Sequence, residues 1–487
     1  MGREKDKKLT VFIAAYRSFS VRYLLYTDVF KYIQGKELQI VLILRDTELE
    51  YYREKFNYPN VVFEPFMYET AYSYLFKIPN SKFLVKARRH LYSINRRENT
   101  TAKFQFAFFR KISGIRSCID AIRIYLSVFI LSRVRILRKA LLKFECRLFD
   151  GRFYDGLFEK YKPALLITSS IGHNCDAYIM RAAKRWNCKT MAIIHSWDNT
   201  TSKGYKGVDP DYVVAWHKHM KEELVSFHDV DEKTIHVGGI AHWDYHWKRV
   251  NSPENRKEFF VNTGLSMDKK VVFLGLSNPK VFRSTLNILQ ELLEKAVNDE
   301  FYCKVQFLVR IHPMFLMSGG SNANNENKLY MQEIKKIEER YKGLVKFNFP
   351  EMPIICKDVD MPISDLLSLS DILRYSDVMI TQFSTLMIEA AIYDLPIINA
   401  GIGILRDTSI EAENYKDWTH VKRIVSTNAC KIASNIEELC AYINLYLENK
   451  NEDSQYRKLL ADQECSVNRG CAGKKIAEYI YGNLNQN

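Results

Sequence analysis

The stretch from Ser376 to Ala400, SDVMITQFSTLMIEAAIYDLPIINA, concentrates side chains able to hold a nucleotide. An apolar run ends at Thr381, a short turn follows, and Ser384 and Thr385 stand where a helix must begin. Hydroxyls cap such a start, and its unpaired N–H groups attract phosphate. Glu389 comes about one turn later and could reach a ribose diol while the helix start holds a phosphate. A capped helix with a solvated glutamate accounts for the same residues, and local physics leaves the two readings open.

A second group is Arg310-Ile311-His312-Pro313, directly after the apolar run Val305 to Val309. A cation and an imidazole at a strand's carboxyl end can neutralise a leaving diphosphate. The plain alternative is a His-Pro turn. A hydroxyl acceptor further needs a group to take its proton. Two strand ends in the first half offer one: Ser169 to Asp176, and His195-Ser196-Trp197-Asp198 with the polar residues to Gly204. The candidate bases are Asp198, His173, His195 and Asp176, and Trp197 could stack on a sugar. Each could equally be a cap or a loop residue, and His195 could be a satisfied histidine beneath its loop. Six histidines between His217 and His246 lack compact ligand spacing, so no metal site is expected.

A polar strand end, Ser384-Thr385, Glu389 and the following Pro396-Ile397-Ile398 resemble the donor site of GT-B glycosyltransferases. The pattern is also similar to that of nonhydrolysing sugar-nucleotide 2-epimerases and CDP-glycerol glycerophosphotransferases. The resemblance implies that Ser384 and Thr385 hold a diphosphate and Glu389 the ribose. Arg310-Ile311-His312-Pro313 resembles the R-x-H-P of glycerophosphotransferase-like and capsule-polymer enzymes. Pro210 to Trp216, then Val237-Gly238-Gly239 and Asp244, resemble the end of a GT-B acceptor domain. In the family the loop after Leu276 often touches the donor phosphate, which makes Ser277 a candidate. Many members carry glycine there and this chain does not, so a plain turn competes with that reading.

Positioning these residues takes strands alternating with helices. Short buried strands fall at Leu9–Ala15, Leu38–Leu44, Asn60–Phe66, Ala164–Thr168, Thr190–Ile194, Tyr212–Trp216 and Thr234–Val237. The second half restarts at Val271–Leu276 and continues through Val305–Val309, Val345–Phe347, Val378–Thr381 and Pro396–Asn399. Such alternation predicts parallel sheets covered on both faces. Ser318 to Asn327 reads as a loop, and Arg116–Lys143 and Gln455–Tyr481 each as one helix. The fold class is α/β, with two doubly wound, Rossmann-like domains facing across a cleft (GT-B). The first, over residues 1–250, carries a basic helical insertion at 82–147. A donor domain spans 260–430, and helices over 431–487 cross back to the first domain in many proteins of this class. The polar stretch Arg249–Lys257 reads as a linker.

With 487 residues the chain is too long for one core. Its net charge of +14 sits wholly in residues 82–147, where seventeen Lys and Arg face three acids. Arg133, Arg135, Arg138 and Lys139, set among Leu, Ile and Phe, make an anionic membrane surface a candidate partner. The bland reading, an insertion packed on the first domain, ranks level with it. Nucleic acid ranks last, since no aromatic-basic RNA motif is visible. The ten cysteines form no CxxC pair, which fits buried thiols in a reducing compartment. Without a signal-peptide core or a span of about 20 apolar residues, the expected place is cytoplasmic, peripheral on the inner face of the membrane.

The sequence therefore predicts a metal-independent GT-B glycosyltransferase without a cofactor. It would move a sugar from a UDP-, GDP-, CDP- or CMP-linked donor onto a saccharide or lipid-linked hydroxyl acceptor, in surface polysaccharide or glycolipid biosynthesis. Fixed cationic and N–H groups make a bound divalent metal unnecessary in principle. Three alternatives stand beside it: a CDP-linked polyol-phosphate transferase, a sugar-nucleotide 2-epimerase, and a non-catalytic membrane or RNA adaptor.

Overall fold

The computed structural model describes residues 8–76, 81–91, 115–253, 255–276, 285–315, 321–356, 358–400 and 418–484. The chain forms two compact units, one of residues 1–242 and 465–487 and the other of residues 243–464. The polar stretch Arg249–Lys257 thus lies inside the second unit.

In the first unit seven strands pair in parallel: Leu9–Ala15 (β1), Leu38–Leu44 (β2), Val61–Pro65 (β3), Leu165–Thr168 (β4), Lys189–Ile193 (β5), Tyr212–Ala215 (β6) and Ile235–Val237 (β7). Their order is β3-β2-β1-β4-β5-β6-β7. The central strands are apolar along almost their whole length because helices cover both faces; Val11 to Ala15 and Ile40 to Leu44 are all buried. The chain winds outward from β1, returns, and winds the other way from β4. Loops leaving the carboxyl ends of these two neighbours diverge, and that is where a doubly wound sheet opens a crevice.

The second unit repeats the plan with six parallel strands: Lys270–Gly275 (β8), Val305–Arg310 (β9), Val345–Asn348 (β10), Val378–Thr381 (β13), Ile397–Asn399 (β14) and Cys430–Ile432 (β15). Ile354–Ile355 (β11) and Asp358–Val359 (β12) make a separate antiparallel pair. The order β10-β9-β8-β13-β14-β15 puts the reversal between β8 and β13.

Several expected single helices are broken. Val134 is extended and divides the basic segment into Ile115–Arg133 and Arg135–Leu148. Asn468 and Gly470, both at positive φ, separate Ser454–Glu464 from Ala472–Leu484. The latter helix packs on Asp28–Gln34 so closely that a Cβ on Gly473 would lie 2.9 Å from Asp28 Cβ. The loop expected through Asn327 is helical from Ser321 to Arg340. Tyr330 stacked on Phe315 at 4.1 Å, with Ile334 and Ile337 buried, anchors its later turns, and packing overrides the weak propensity of Ser and Asn.

The basic segment joins the first unit through buried charge. Helix Ser81–Arg89 supplies Arg88, Arg135–Leu148 supplies Glu145, and Asn174–Arg185 supplies Arg181; all three are buried. Both guanidinium groups reach the one carboxylate, Arg88 Nε at 3.0 Å and Arg181 Nη2 at 3.2 Å. Their remaining N–H groups donate to the carbonyls of Tyr205, Gly207 and Phe149 and to Asn174 Oδ1. Two buried cations around one anion persist because those carbonyls absorb the excess charge. Ile124 and Val128 face inward on Ile115–Arg133, while Ile119, Ile122, Tyr125, Leu126, Phe129 and Ile130 are exposed. Among the described residues no helix is long and apolar enough to cross a membrane.

Candidate functional site

At the reversal of the second unit, β8 and β13 end side by side. A Cβ on Gly275 would fall 2.4 Å from Leu386 Cδ2, so a larger residue at the end of β8 would have to displace that side chain of the helix Leu386–Ile392. Ser384 and Thr385 lie in the turn before that helix, half-buried among otherwise buried neighbours. Ser384 Oγ accepts from the Leu386 N–H at 3.1 Å. The helix has seven residues, so its dipole is small, and anion attraction at this turn falls to the hydroxyls and nearby N–H groups. Ser277 lies outside the described residues.

Glu389 is largely buried and accepts from His246 Nε2 at 3.0 Å. His246 is fully buried on the helix Asp244–Val250, and its Nδ1 lies 2.9 Å from Ser370 Oγ and 3.2 Å from Tyr393 OH. One carboxylate oxygen is thereby fixed by a side chain 143 residues away in sequence. Arg310, at the end of β9, donates to Asp365 Oδ1 and Asn348 Oδ1, each at 2.5 Å. His312 follows; burial pushes its pKa down to about 4, so its imidazole is neutral near pH 7. Arg310 is then the formal charge of the R-x-H-P turn, and Asp365 already balances part of it.

In the first unit the ends of β1, β4 and β5 gather a polar group around the β1–β4 reversal. Arg17 Nη1 lies 2.9 Å from His173 Nε2. A guanidinium only donates, so Nε2 accepts and His173 carries its proton on Nδ1. That nitrogen is buried and faces Asp176 Oδ2 at 3.8 Å. Tyr16 OH donates to the same Oδ2 at 3.2 Å. Asp176 is fully enclosed, and burial raises its pKa to about 7 although Arg17 opposes the shift. His195 Nδ1 lies 2.6 Å from the Ser169 carbonyl and so donates to it, which puts the imidazole lone pair on Nε2. Burial lowers its pKa to about 4. The His173 and His195 rings lie 6.3 Å apart and nearly parallel. Asp198 is bound at both oxygens, by Ser196 at 2.7 Å, Ser202 at 2.5 Å and Lys203 at 2.9 Å.

His173, Asp176, His195 and Asp198 therefore lie on adjacent strand ends, in three different states. The lone pair of His173 is committed to Arg17, both oxygens of Asp198 are engaged, and Nε2 of His195 has no hydrogen-bond partner among the described residues. Arg17 and His246 are the residues that sequence reasoning passed over. Arg17 had a signal, a cation two residues beyond a buried strand; His246 had none, because its partner is set by tertiary packing.

The basic surface differs from expectation at one position. Arg138 is buried, donating to Asp229 at 2.7 and 3.1 Å and to the Ser132 carbonyl at 2.6 Å, so it holds the segment together and does not face outward. Arg133 lies over the Phe129 ring at 3.3 Å, and Arg133, Arg135 and Lys139 are exposed. Among the described residues no group of three His, Cys, Asp or Glu could hold a metal ion.

Solved structures share the fold at low identity. A protein from Listeria monocytogenes described as a UDP-N-acetylglucosamine 2-epimerase is 12% identical, with 99% of this chain and 97% of that one covered and a TM-score of 0.52. The wall teichoic acid polymerase TagF is 13% identical, covering 98% and 89%, with a TM-score of 0.49. UDP-GlcNAc 2-epimerase from Methanocaldococcus jannaschii is 13% identical, covering 99% and 100%, also at 0.49. No curated protein matches the sequence. A family model, CDP-Glycerol:Poly(glycerophosphate) glycerophosphotransferase, matches residues 189–482. Since that match runs over more than half of the chain, from the strand before His195 to the last helix, the chain belongs to the CDP-Glycerol:Poly(glycerophosphate) glycerophosphotransferase family.

Proposed function

We propose that the chain transfers a group from a nucleotide-linked donor to an acceptor hydroxyl during synthesis of a cell-surface polymer. The family match carries this reading, and it weights the transferred group toward a polyol phosphate carried on CDP. Transfer of a sugar is the second reading, since Ser384-Thr385, Glu389 and Pro396-Ile397-Ile398 form a pattern that fits either donor. In the second unit, Ser384 and Thr385 would meet the donor phosphates, Glu389 the ribose, and Arg310 with neutral His312 the leaving group.

In the first unit, His195 is the best-supported base, because Ser169 fixes its tautomer with the lone pair on Nε2. The acceptor proton would pass to that nitrogen while the acceptor oxygen bonds to the donor phosphorus. The bond from that phosphorus to the bridging oxygen breaks, and the nucleoside monophosphate leaves with the electron pair. The imidazolium then returns its proton to solvent. The positive and N–H groups named here would carry the charge of the leaving group without a metal, so chelation should leave turnover unchanged.

The exposed apolar residues of Ile115–Arg133, with Arg133, Arg135 and Lys139 beside them, suit an anionic bilayer at the cytoplasmic face. Calorimetric titration of the full chain with CDP, CMP, UDP, GDP and dTDP tests the donor assignment, followed by turnover with CDP-glycerol and nucleotide sugars. Selective binding of cytidine nucleotides and turnover of CDP-glycerol are expected. A folded chain that binds no nucleotide would sink the proposal. Interconversion of two nucleotide sugars without an acceptor would move the 2-epimerase reading to the front.

A further inference from the structure

His195 has a second polar neighbour on its protonated side. Asn199 opens the four-residue helix Asn199–Ser202 and is 1% exposed. Its Nδ2 lies 3.4 Å from His195 Nδ1, the nitrogen whose proton goes to the Ser169 carbonyl at 2.6 Å. With Nδ2 toward the ring, donor would face donor, and Oδ1 would be buried without a hydrogen-bond partner among the described residues. A carboxamide has the same shape either way round, so the favourable orientation sets Oδ1 against Nδ1–H, as a second acceptor beside the Ser169 carbonyl. In both orientations one end of the amide stays unpaired by the described residues. Packing alone would be served better by an apolar side chain of that size, because buried polar groups are otherwise paired. The backbone that carries Asn199 is held on both sides. Asp198, just before it, is bound by Ser196, Ser202 and Lys203. Thr200, just after it, donates through Oγ1 to Glu223 and accepts at its carbonyl from His228 Nε2 at 2.7 Å.

From this geometry we infer that Asn199 is a positioning residue for the proton transfer: its side-chain carbonyl shares the Nδ1–H of His195 with Ser169 and takes up part of the positive charge when Nε2 receives the acceptor proton. Asn199 itself gains and loses no proton. A contact of 3.4 Å is slack for a neutral ring. It should tighten when the imidazole becomes a cation, which is when a preorganised acceptor contributes most. Burial opposes protonation of this ring most; of the charges that act on it, Arg17 and Lys203 oppose protonation and Asp198 favours it. The His173 ring faces it at 6.3 Å. A change at Asn199 leaves all of these groups in place. The inference rests on His195 being the base, as proposed above.

The test compares Asn199→Ala and Asn199→Asp with wild type in the full chain, with thermal melting to check folding. Nitrogen–proton NMR of the histidine rings reads the tautomer and protonation of His195 without turnover, and His195→Gln assigns its signal. Turnover is followed as CMP release from CDP-glycerol in the presence of glycerol 3-phosphate, across pH. Wild type should carry its ring proton on Nδ1. In Asn199→Ala the ring should protonate only at lower pH, and kcat should fall about ten- to a hundredfold with KM nearly unchanged. Asn199→Asp keeps an acceptor and adds charge, so the ring should protonate at higher pH than in wild type and the acid limb of the rate profile should move with it. A ring proton on Nε2 in wild type overturns the inference, and so does an Asn199→Ala protein whose His195 titration and kcat are unchanged. Equal losses of kcat in both variants with the His195 titration unmoved would also overturn it. Wild-type turnover by His195→Gln would instead overturn the base assignment, and with it the catalytic role given to Asn199.

Discussion

Replacing Glu389 separates its two duties, bracing and binding. The carboxylate sits against a fully buried imidazole, with Oε2 at 3.0 Å from His246 Nε2. In Glu389→Ala that N–H loses its acceptor in a site too enclosed for bulk water. Orphaning a buried polar group costs about 1–3 kcal/mol, and breaking a buried charged pair about 3–5 kcal/mol; we take about 3 kcal/mol. For a unit of this size each kcal/mol moves the melting temperature by about 2–4 °C, so the second unit should melt roughly 6–12 °C lower. Glu389→Gln keeps an oxygen for His246 and should lose only about 1 kcal/mol. If Glu389 also holds the ribose, Glu389→Gln should weaken nucleotide binding about tenfold, and Glu389→Ala at least as much. Calorimetric melting of the unliganded protein and titration with CDP read the two effects independently. Unchanged melting of Glu389→Ala would refute the bracing argument. Lower melting with unchanged CDP affinity would refute the ribose assignment and make Glu389 purely structural.

Glu145→Leu strands two buried guanidinium groups and should cost about 3–5 kcal/mol by denaturant titration of the first unit; a loss under 1 kcal/mol would show that the carbonyls alone satisfy Arg88 and Arg181. The pKa of Asp176 is higher folded than unfolded, so the folded state binds the extra proton and stability falls as pH rises from about 4 to about 7. Asp176→Asn should gain on wild type across that window, by at most about 1.4 kcal/mol per pH unit. His195 has the opposite sign: its folded pKa is depressed to about 4, so wild type loses stability as pH falls from about 6.5 toward 4, and His195→Asn should not share that loss. Parallel melting curves across these ranges would show that neither group is as desolvated as its surroundings require. Ile122→Asp with Ile130→Asp should abolish sedimentation with phosphatidylglycerol vesicles while melting is unchanged, since both side chains are more than half exposed. Arg138→Ala should instead lower the melting temperature through loss of its Asp229 contacts.

The strands were legible because burial on both faces forces them to be continuous apolar runs; Leu38–Leu44 and Val378–Thr381 match the expected bounds. Helix breaks were not. Val134 is apolar in an apolar stripe, yet its backbone is extended and divides the two helices. The candidate acid and base positions could be read as polar residues after apolar strands, but their states could not. Nothing local distinguishes His173, whose lone pair Arg17 takes, from His195, whose tautomer Ser169 sets. Contacts across 156 and 26 residues decide that difference. Arg138 shows the same limit on the surface: it sits in a basic run, yet Asp229, 91 residues away, draws it inward.

The internal pairing of the candidate residues bears on how each can meet a ligand. Arg310 is held through both terminal nitrogens, one of them on the buried carboxylate of Asp365. An anionic leaving group would have to share that cation, and its hold would be geometric more than electrostatic. Lys203 is similarly balanced by Asp198. Arg17 is braced by a neutral ring, and the carboxyl whose charge acts on it, Asp176, is kept partly protonated near neutral pH by burial. A cation fixed by a neutral acceptor loses little rotamer freedom on binding a ligand. At the reversal of the first sheet, Arg17 is thus a cation held by a neutral ring, whereas Arg310 and Lys203 are each paired with a carboxylate.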